Sequence, residues 1–170
     1  MKRALLIFLA VLPLLISPLS FAKVPTSKIK IESADLKSSI EITDPQTLAK
    51  FDVWSGAGTG WTGRPTPEST QTFIVDWSQS VSEPPKGLER YQVSFYAKMP
   101  DERLIYVVFY EFDPLTQRGY VYFPGRGEEF YRRNVGTIIH GIEGKWLRSW
   151  SAWDDVAKPR IANSKQAKLN

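Results

Sequence analysis

The best-placed pair of acidic side chains in this sequence is Glu111 and Asp113. They lie two residues apart at the end of an apolar run, residues 104–112, that reads LIYVVFYEF. Side chains two apart in a β-strand share a face at about 6–7 Å, and two carboxylates about 5–10 Å apart can carry out glycoside hydrolysis. The alternative is that both carboxylates pair with cations such as Arg118 where the strand leaves the core. The pattern favours the second interpretation, and a carbohydrate-active hydrolase that uses Glu111 and Asp113 stays the alternative.

The glycine-rich stretch at residues 51–61, FDVWSGAGTGW, is a second candidate for chemistry. A dinucleotide site needs a strand before its glycines and a helix after them, because the helix N-terminus holds the pyrophosphate. Here a short predicted helix precedes the glycines, and Pro65 and Pro67 prevent a helix after them. The Gly-Lys-Ser/Thr tripeptide of a phosphate loop is also missing from the sequence. We therefore predict no nucleotide binding.

Two interpretations of the glycine-rich stretch remain. In one, the glycines let Trp54 and Trp61 fold back onto the core. In the other, the long loop at residues 55–69 contacts a ligand, because long irregular loops in compact domains are often functional. Trp61 would then offer a stacking face and Arg64 a forked donor for a carboxylate or sulfate.

Trp54, Asp76 and Arg118 complete the set of candidate ligand-binding residues. Asp76 interrupts the apolar segment 72–77, TFIVDW, and an acid in that position must be paired or must lie at the rim of the core. Arg118 follows the predicted turn at 113–119. We expect both side chains to bind a ligand if the 55–69 loop lines a cleft that includes them.

Other catalytic chemistries have little support in the sequence. The chain has no cysteine and one histidine, His140. His140 lies in an apolar pattern, and there is no Gly-x-Ser-x-Gly elbow to present a serine to it. A single histidine without cysteines also argues against a zinc site. We predict no metal and no cofactor, and we expect binding or scaffolding rather than catalysis.

Tryptophans and cations are concentrated towards the C-terminus. Trp146, Trp150 and Trp153 lie near several basic residues in sequence and could form a cationic aromatic surface, of the kind that binds sugar polymers and acidic cell-wall chains. Each ring taken alone is better explained as part of a β-protein core. The basic residues in question are Arg132, Arg133, Lys145 and Arg148. The predicted partners are a cell-wall glycan or an envelope protein.

The first 22 residues have the three-part pattern of a secretory signal. Lys2 and Arg3 are followed by an apolar stretch and then by small residues at Ser20 and Ala22. This pattern predicts export, with cleavage after Ala22. The mature chain then has no transmembrane segment. It consists of one β-rich domain at residues 23–156 and a basic tail at residues 157–170, which we expect to be poorly ordered.

The positive net charge comes entirely from the two ends. The chain has 22 basic and 18 acidic residues, and six of the basic ones lie in the leader or the tail. The domain between them is therefore slightly acidic, with 16 basic against 18 acidic residues. A nucleic-acid binder would present a basic face, so we predict that nucleic acid is not a partner.

Strand patterns dominate the mature chain, and no long amphipathic helix separates them. This favours a mostly-β fold, in which an antiparallel meander forms a sandwich or a partly open barrel with one or two short helices. A helix is predicted at 45–51, with Asp44 as its N-cap and Pro45 in its first turn, and a short one after 151. The predicted strands are 28–32, 39–43, 72–77, 91–97, 104–112, 120–123, 137–140 and 145–149.

Several segments together resemble a group of small exported bacterial proteins that has no assigned activity. The resemblance spans about residues 29–161. It implies an envelope or secreted location and assigns no functional residue. The segments that carry it are 42–45 (ITDP), 51–54 (FDVW), 75–77 (VDW), 91–96 (YQVSFY) and 106–111 (YVVFYE).

Overall fold

A computed structural model describes residues 24–55, 73–84, 86–138 and 141–169. Within these ranges the chain forms seven strands and three α-helices, with a short 3₁₀ turn at Val53–Ser55. The strands are β1 (Thr26–Glu32), β2 (Ile40–Ile42), β3 (Val75–Val81), β4 (Arg90–Met99), β5 (Asp101–Asp113), β6 (Arg118–Tyr122) and β7 (Trp146–Ser149). The helices are α1 (Pro45–Lys50), α2 (Tyr131–Thr137) and α3 (Ser151–Leu169).

The seven strands form one antiparallel sheet in the order β2-β1-β4-β5-β6-β7-β3. Strands β4 to β7 pair with their neighbours in chain order, as in a meander, and the sheet does not close into a barrel. The predicted mostly-β, antiparallel class is confirmed. The helical content is larger than predicted, because α2 was not expected and the helix predicted after residue 151, α3, extends to Leu169.

The sheet is strongly curled. Phe73 lies two residues before β3, at one edge of the sheet, yet its ring centroid is 5.2 Å from that of Phe95 in β4. In a flat sheet these strands, four places apart in the strand order, would be separated by roughly 19 Å. The curl brings the edge strand over the concave face, where the apolar side chains of β1, β4, β5 and β6 form the core.

Helices α1 and α3 close the concave face. Phe51, directly after α1, and Trp153 in α3 are both fully buried, with ring centroids 5.2 Å apart. Trp153 also meets Tyr110 of β5 edge to face at 6.2 Å. Helix α1 begins as predicted, because the Asp44 carboxylate accepts a hydrogen bond of 2.8 Å from the Thr47 backbone N–H. The ring contacts of Phe51 and Trp153 hold α1 and α3 against the sheet.

Helix α2 lies where a strand was expected to begin. Thr137 was predicted to start a strand at 137–140, but it is the last residue of α2; residues 139 and 140 lie outside the described ranges. The buried Asn134 side chain explains the position of α2. It accepts a hydrogen bond from Val107 N at 3.0 Å and donates one to Val107 O at 2.7 Å. Asn134 thus replaces a strand partner where β5 extends beyond β6.

The basic tail, which we expected to be poorly ordered, is helical in the structure. Helix α3 runs through the predicted domain boundary at 156 to Leu169. Ala157 is fully buried and Ile161 is 7% exposed, both as part of the core. Positive charges dominate the composition of this segment, but these two apolar residues are one helical turn apart and share a face. The C-terminal segment therefore belongs to the domain.

Candidate functional site

Glu111 lies on the convex face of the sheet and is bound to an arginine. Its side chain is 7% exposed, and Glu111 Oε1 accepts a hydrogen bond of 2.8 Å from Arg90 Nε. Arg90 and Glu111 are directly opposite each other in β4 and β5. The sequence pattern suggested Arg118 or a lysine as the cation, whereas the structure places Arg90 there.

Three aromatic rings surround the Arg90 guanidinium. Its central carbon lies 5.5 Å from the ring centroid of Phe109, 5.9 Å from that of Tyr122 and 5.5 Å from that of Trp146. Tyr122 and Trp146 in turn pack against each other at 4.8 Å. Contacts of this kind between a guanidinium and ring faces hold the arginine in one orientation.

Arg90, Glu111 and Trp146 open into a hollow of about 440 Å³, which we call the arginine–aromatic hollow. The loop before β4 forms its other wall. Arg90 is half exposed, and within the described chain its bonded atom is Nε, so that its two Nη groups remain free to donate. The hollow therefore combines a fixed cation, an aromatic ring and acidic acceptors. Its remaining lining residues are Glu83, Pro84, Lys86, Gly87 and Leu88.

Asp113 is held by its own turn. Its carboxylate accepts hydrogen bonds from Leu115 N at 2.9 Å and from Thr116 Oγ1 at 2.6 Å. The Thr116 hydroxyl is the main cause that lowers the pKa of Asp113. Asp113 lines a different hollow from Glu111. The two carboxylates are thus near each other along β5 but do not converge on one cleft.

Asp76 and Arg118 meet in a separate polar hollow of about 380 Å³. Arg148, the register partner of Asp76 in β7, lies there too. The Asp76 carboxylate is engaged by Ser78, at 2.9 Å from its N–H and 2.6 Å from its hydroxyl, and by Gln79 at 2.5 Å. The Ser78 hydroxyl is the main cause that lowers the pKa of Asp76. We expected Asp76 to be paired or to lie at the rim of the core. It lies at the rim, and its carboxylate bonds to residues of its own strand.

The floor of this polar hollow is a buried carboxyl group, which sequence reasoning missed. Asp154 Oδ1 accepts hydrogen bonds from Tyr110 OH at 2.8 Å and from Ser149 Oγ at 2.5 Å. Burial raises the pKa of Asp154, although the bonds from Ser149 and Tyr110 act in the opposite direction. In the sequence, Asp154 simply belongs to the short helix that is predicted after residue 151. Its contact with Tyr110, 44 residues away, leaves no local signal.

Within the described ranges, the tryptophans that were candidate site residues lie on different faces of the sheet. Trp54 packs against the core, and its Nε1 donates a hydrogen bond of 2.6 Å to Val24 O, so this ring fits the structural interpretation. Trp150 and Trp153 both contact Phe51 on the concave side. Trp146 alone of the three C-terminal tryptophans belongs to a cationic aromatic cluster. Trp61, Arg64 and His140 lie outside the described residues.

The described residues also bear on metal binding and on membrane spanning. In residues 24–55, 73–84, 86–138 and 141–169, no three His, Cys, Asp or Glu side chains come together in a way that could hold a metal ion. None of the helices in the same ranges is both long enough and apolar enough to cross a membrane.

Comparisons with known proteins do not identify a family. No protein family matches the chain, and neither a curated protein nor a solved structure matches it. A fold by itself does not define a function. The function must therefore follow from the chemistry of the hollows.

Proposed function

We propose that the protein is an exported, non-enzymatic β domain that binds an acidic saccharide at the arginine–aromatic hollow. Export is supported by the signal-like pattern of residues 1–22 and by the resemblance to small exported bacterial proteins. The proposed location is the periplasm or the outside of a bacterial cell. The proposed ligand is a cell-wall or surface glycan that carries carboxylate groups.

The orientation of Arg90 carries this proposal. Glu111 bonds to Nε, and the rings of Tyr122 and Trp146 hold the guanidinium from the side. The two Nη groups therefore present a ready pair of parallel donors, which is the geometry that a carboxylate accepts. Because Arg90 is already ordered in the free protein, little side-chain entropy is lost on binding.

The other groups of the hollow suit a sugar ring. Trp146 is half buried, so that part of its ring can stack against the apolar face of a pyranose. Glu83 and Glu111 can accept hydrogen bonds from hydroxyl groups, and Lys86 adds a second positive charge. Mixed charges around one aromatic ring fit a polyhydroxylated acid better than a purely apolar ligand.

The hydrolase alternative receives less support from the geometry. Glu111 is committed to Arg90 and Asp113 to the turn after β5. A general acid needs a carboxyl group that keeps its proton near neutral pH, whereas the hydrogen bonds to Asp113 lower its pKa. We therefore assign Glu111 the role of positioning Arg90.

Calorimetry with matched sugars tests the proposal. We expect an oligomer of galacturonic acid to bind and the neutral galactose oligomer to bind about tenfold more weakly or not at all. Arg90→Lys keeps the charge but loses the fork, and should weaken binding of the acid by about tenfold. Arg132→Lys, an exposed arginine on α2, is the matched control and should change nothing.

Two results would count against the proposal. One is equal affinity for the acidic and neutral oligomers. The other is release of new reducing ends from the oligomer that stops in Glu111→Gln, which would favour the hydrolase instead. Trp146→Phe, checked for folding by circular dichroism, tests the stacking contribution separately.

Export is tested on the protein made in a bacterial host with its own N-terminus. We expect the protein in the periplasm or the medium, with a mature chain that begins at Lys23. Recovery of the intact chain from the cytoplasm would contradict this part of the proposal.

A further inference from the structure

A third hollow, larger and more apolar than the other two, lies between α3, the turn after β5 and the loop before β4. Its volume is about 800 Å³, within the range of about 300–1,000 Å³ that is usual for small-molecule sites. We call it the α3 groove. Its apolar lining includes Leu88, Phe112, Leu115, Pro159, Ile161 and Ala162.

Leu115 marks the open side of the α3 groove. It lies in the turn between β5 and β6 and is 92% exposed, an unusual state for a large apolar side chain. Asp113 fixes the backbone of this turn through its bonds to Leu115 N and Thr116 Oγ1. The turn thus holds Leu115 in a fixed place beside the apolar wall of α3.

One cation in the groove is available for a ligand. The Lys158 ammonium lies 4.4 Å from the ring centroid of Phe112, and within the described chain it is in ion-pair contact with no carboxylate. Lys165, by contrast, is already bonded to Glu89, which also accepts a hydrogen bond from Tyr91 OH. Lys158 is therefore the charge that an anionic group entering the groove would meet.

We propose that the α3 groove binds a single-chain amphiphile with an anionic head. The chain lies along Phe112, Ile161 and Ala162, and the head pairs with Lys158. This site is distinct in chemistry from the arginine–aromatic hollow, although Gly87 and Leu88 line both. The inference does not depend on saccharide binding.

Binding of palmitate, below the concentration at which it forms micelles, tests this proposal. We expect palmitate to bind at least about tenfold more tightly than butyrate, which lacks the chain, and than hexadecanol, which lacks the charge. Ala162→Trp fills the groove from the exposed side of α3 and should weaken both long-chain ligands. Lys158→Gln should remove the preference for palmitate over hexadecanol.

The controls separate this site from general effects. Arg160→Gln removes an exposed charge of α3 outside the groove and should leave palmitate binding unchanged, and circular dichroism checks that every variant is folded. Palmitate binding that Ala162→Trp and Lys158→Gln do not alter would overturn the proposal. So would a concentration-dependent dimer that Ala162→Trp dissociates, because a second copy would then occupy the groove.

Discussion

At the scale of single residues, Gly119 lies in close contact with Ser149 and Asp154. A Cβ atom at position 119 would overlap Ser149 Oγ and Asp154 Oδ1, and would lie 2.7 Å from Tyr110 Cε2. Glycine is therefore required here by the close approach of β6 to the buried hydrogen-bonded group. The hydrogen bonds among Tyr110, Ser149 and Asp154, next to Gly119, join β5, β6, β7 and the start of α3.

We expect Gly119→Ala to lower the free energy of unfolding by about 1–3 kcal/mol, the usual cost of an overpacked core. Urea unfolding measures this directly. Gly136→Ala is the matched control, because a Cβ at position 136 meets nothing within 4 Å and alanine favours the helix. Equal stability of Gly119→Ala and the wild type would show that the contact is looser than described.

Asp154 should give stability a characteristic pH dependence. Burial raises its pKa, so the folded state holds its proton up to a higher pH than the unfolded state does. Between the two pKa values the free energy of unfolding must fall as the pH rises. The stability of the wild type relative to Asp154→Asn should therefore decrease as the pH rises from about 4 towards neutrality.

Urea unfolding of both proteins at a series of pH values measures this difference. Asp155→Asn, at an exposed neighbour, removes the same charge and controls for net charge. A wild type that gains stability relative to Asp154→Asn over this range would contradict the assigned direction.

The residues of the arginine–aromatic hollow show what a sequence can and cannot indicate. Trp146 was recognised because a tryptophan beside cations is visible in the sequence. The role of Arg90 could not be predicted, because its partner depends on the register of β4 and β5. Counting back from the tight turn at residues 99–101 would place Arg90 opposite Tyr110 rather than Glu111. A β-bulge between Phe95 and Tyr96 shifts the register by one residue and places it opposite Glu111.

At the scale of elements, α3 is the helix that completes the domain. Its first turn supplies Trp153 and Asp154 to the core, and the next turns supply Ala157 and Ile161. The same helix forms one wall of the α3 groove. A charged tail and a core helix differ in sequence only by a few apolar residues in register, so composition alone does not distinguish them.

Ile161→Ala tests whether this segment is packed as described. We expect the free energy of unfolding to fall by about 2–4 kcal/mol, through lost burial and the cavity that remains. Asn163→Ala, at an exposed position of the same helix, should change it by less than about 0.5 kcal/mol. Equal, small effects of both substitutions in urea unfolding would indicate an unpacked tail.

The buried Asn134 side chain attaches helix α2 to the edge of β5. Asn134→Ala removes both bonds to Val107 and leaves two buried backbone groups without partners. The expected loss is roughly 2–4 kcal/mol. Thr137→Ala, which removes an exposed hydroxyl bond to Arg133 O, is the control. Hydrogen exchange of Val107 N–H should accelerate in Asn134→Ala, and unchanged exchange would contradict the role of Asn134.

At the scale of the whole molecule, the fold class could be predicted and the curvature could not. Alternating and continuous apolar segments indicated the strands, because the period of two is a local property. The packing of Phe73 onto Phe95, across four strand positions, is a product of the complete sheet. The curl separates a concave face that holds the core from a convex face that presents Arg90 and Trp146.

The central claim is that the convex face recognises an acidic saccharide through Arg90 and Trp146. NMR titration with a galacturonic acid oligomer tests it most directly, by following the side-chain N–H signals of Arg90 Nε and Trp146 Nε1. We predict that both signals shift saturably with the acidic oligomer and that the neutral galactose oligomer leaves Arg90 Nε unchanged. Binding of the acidic oligomer that leaves both signals unmoved would contradict the claim.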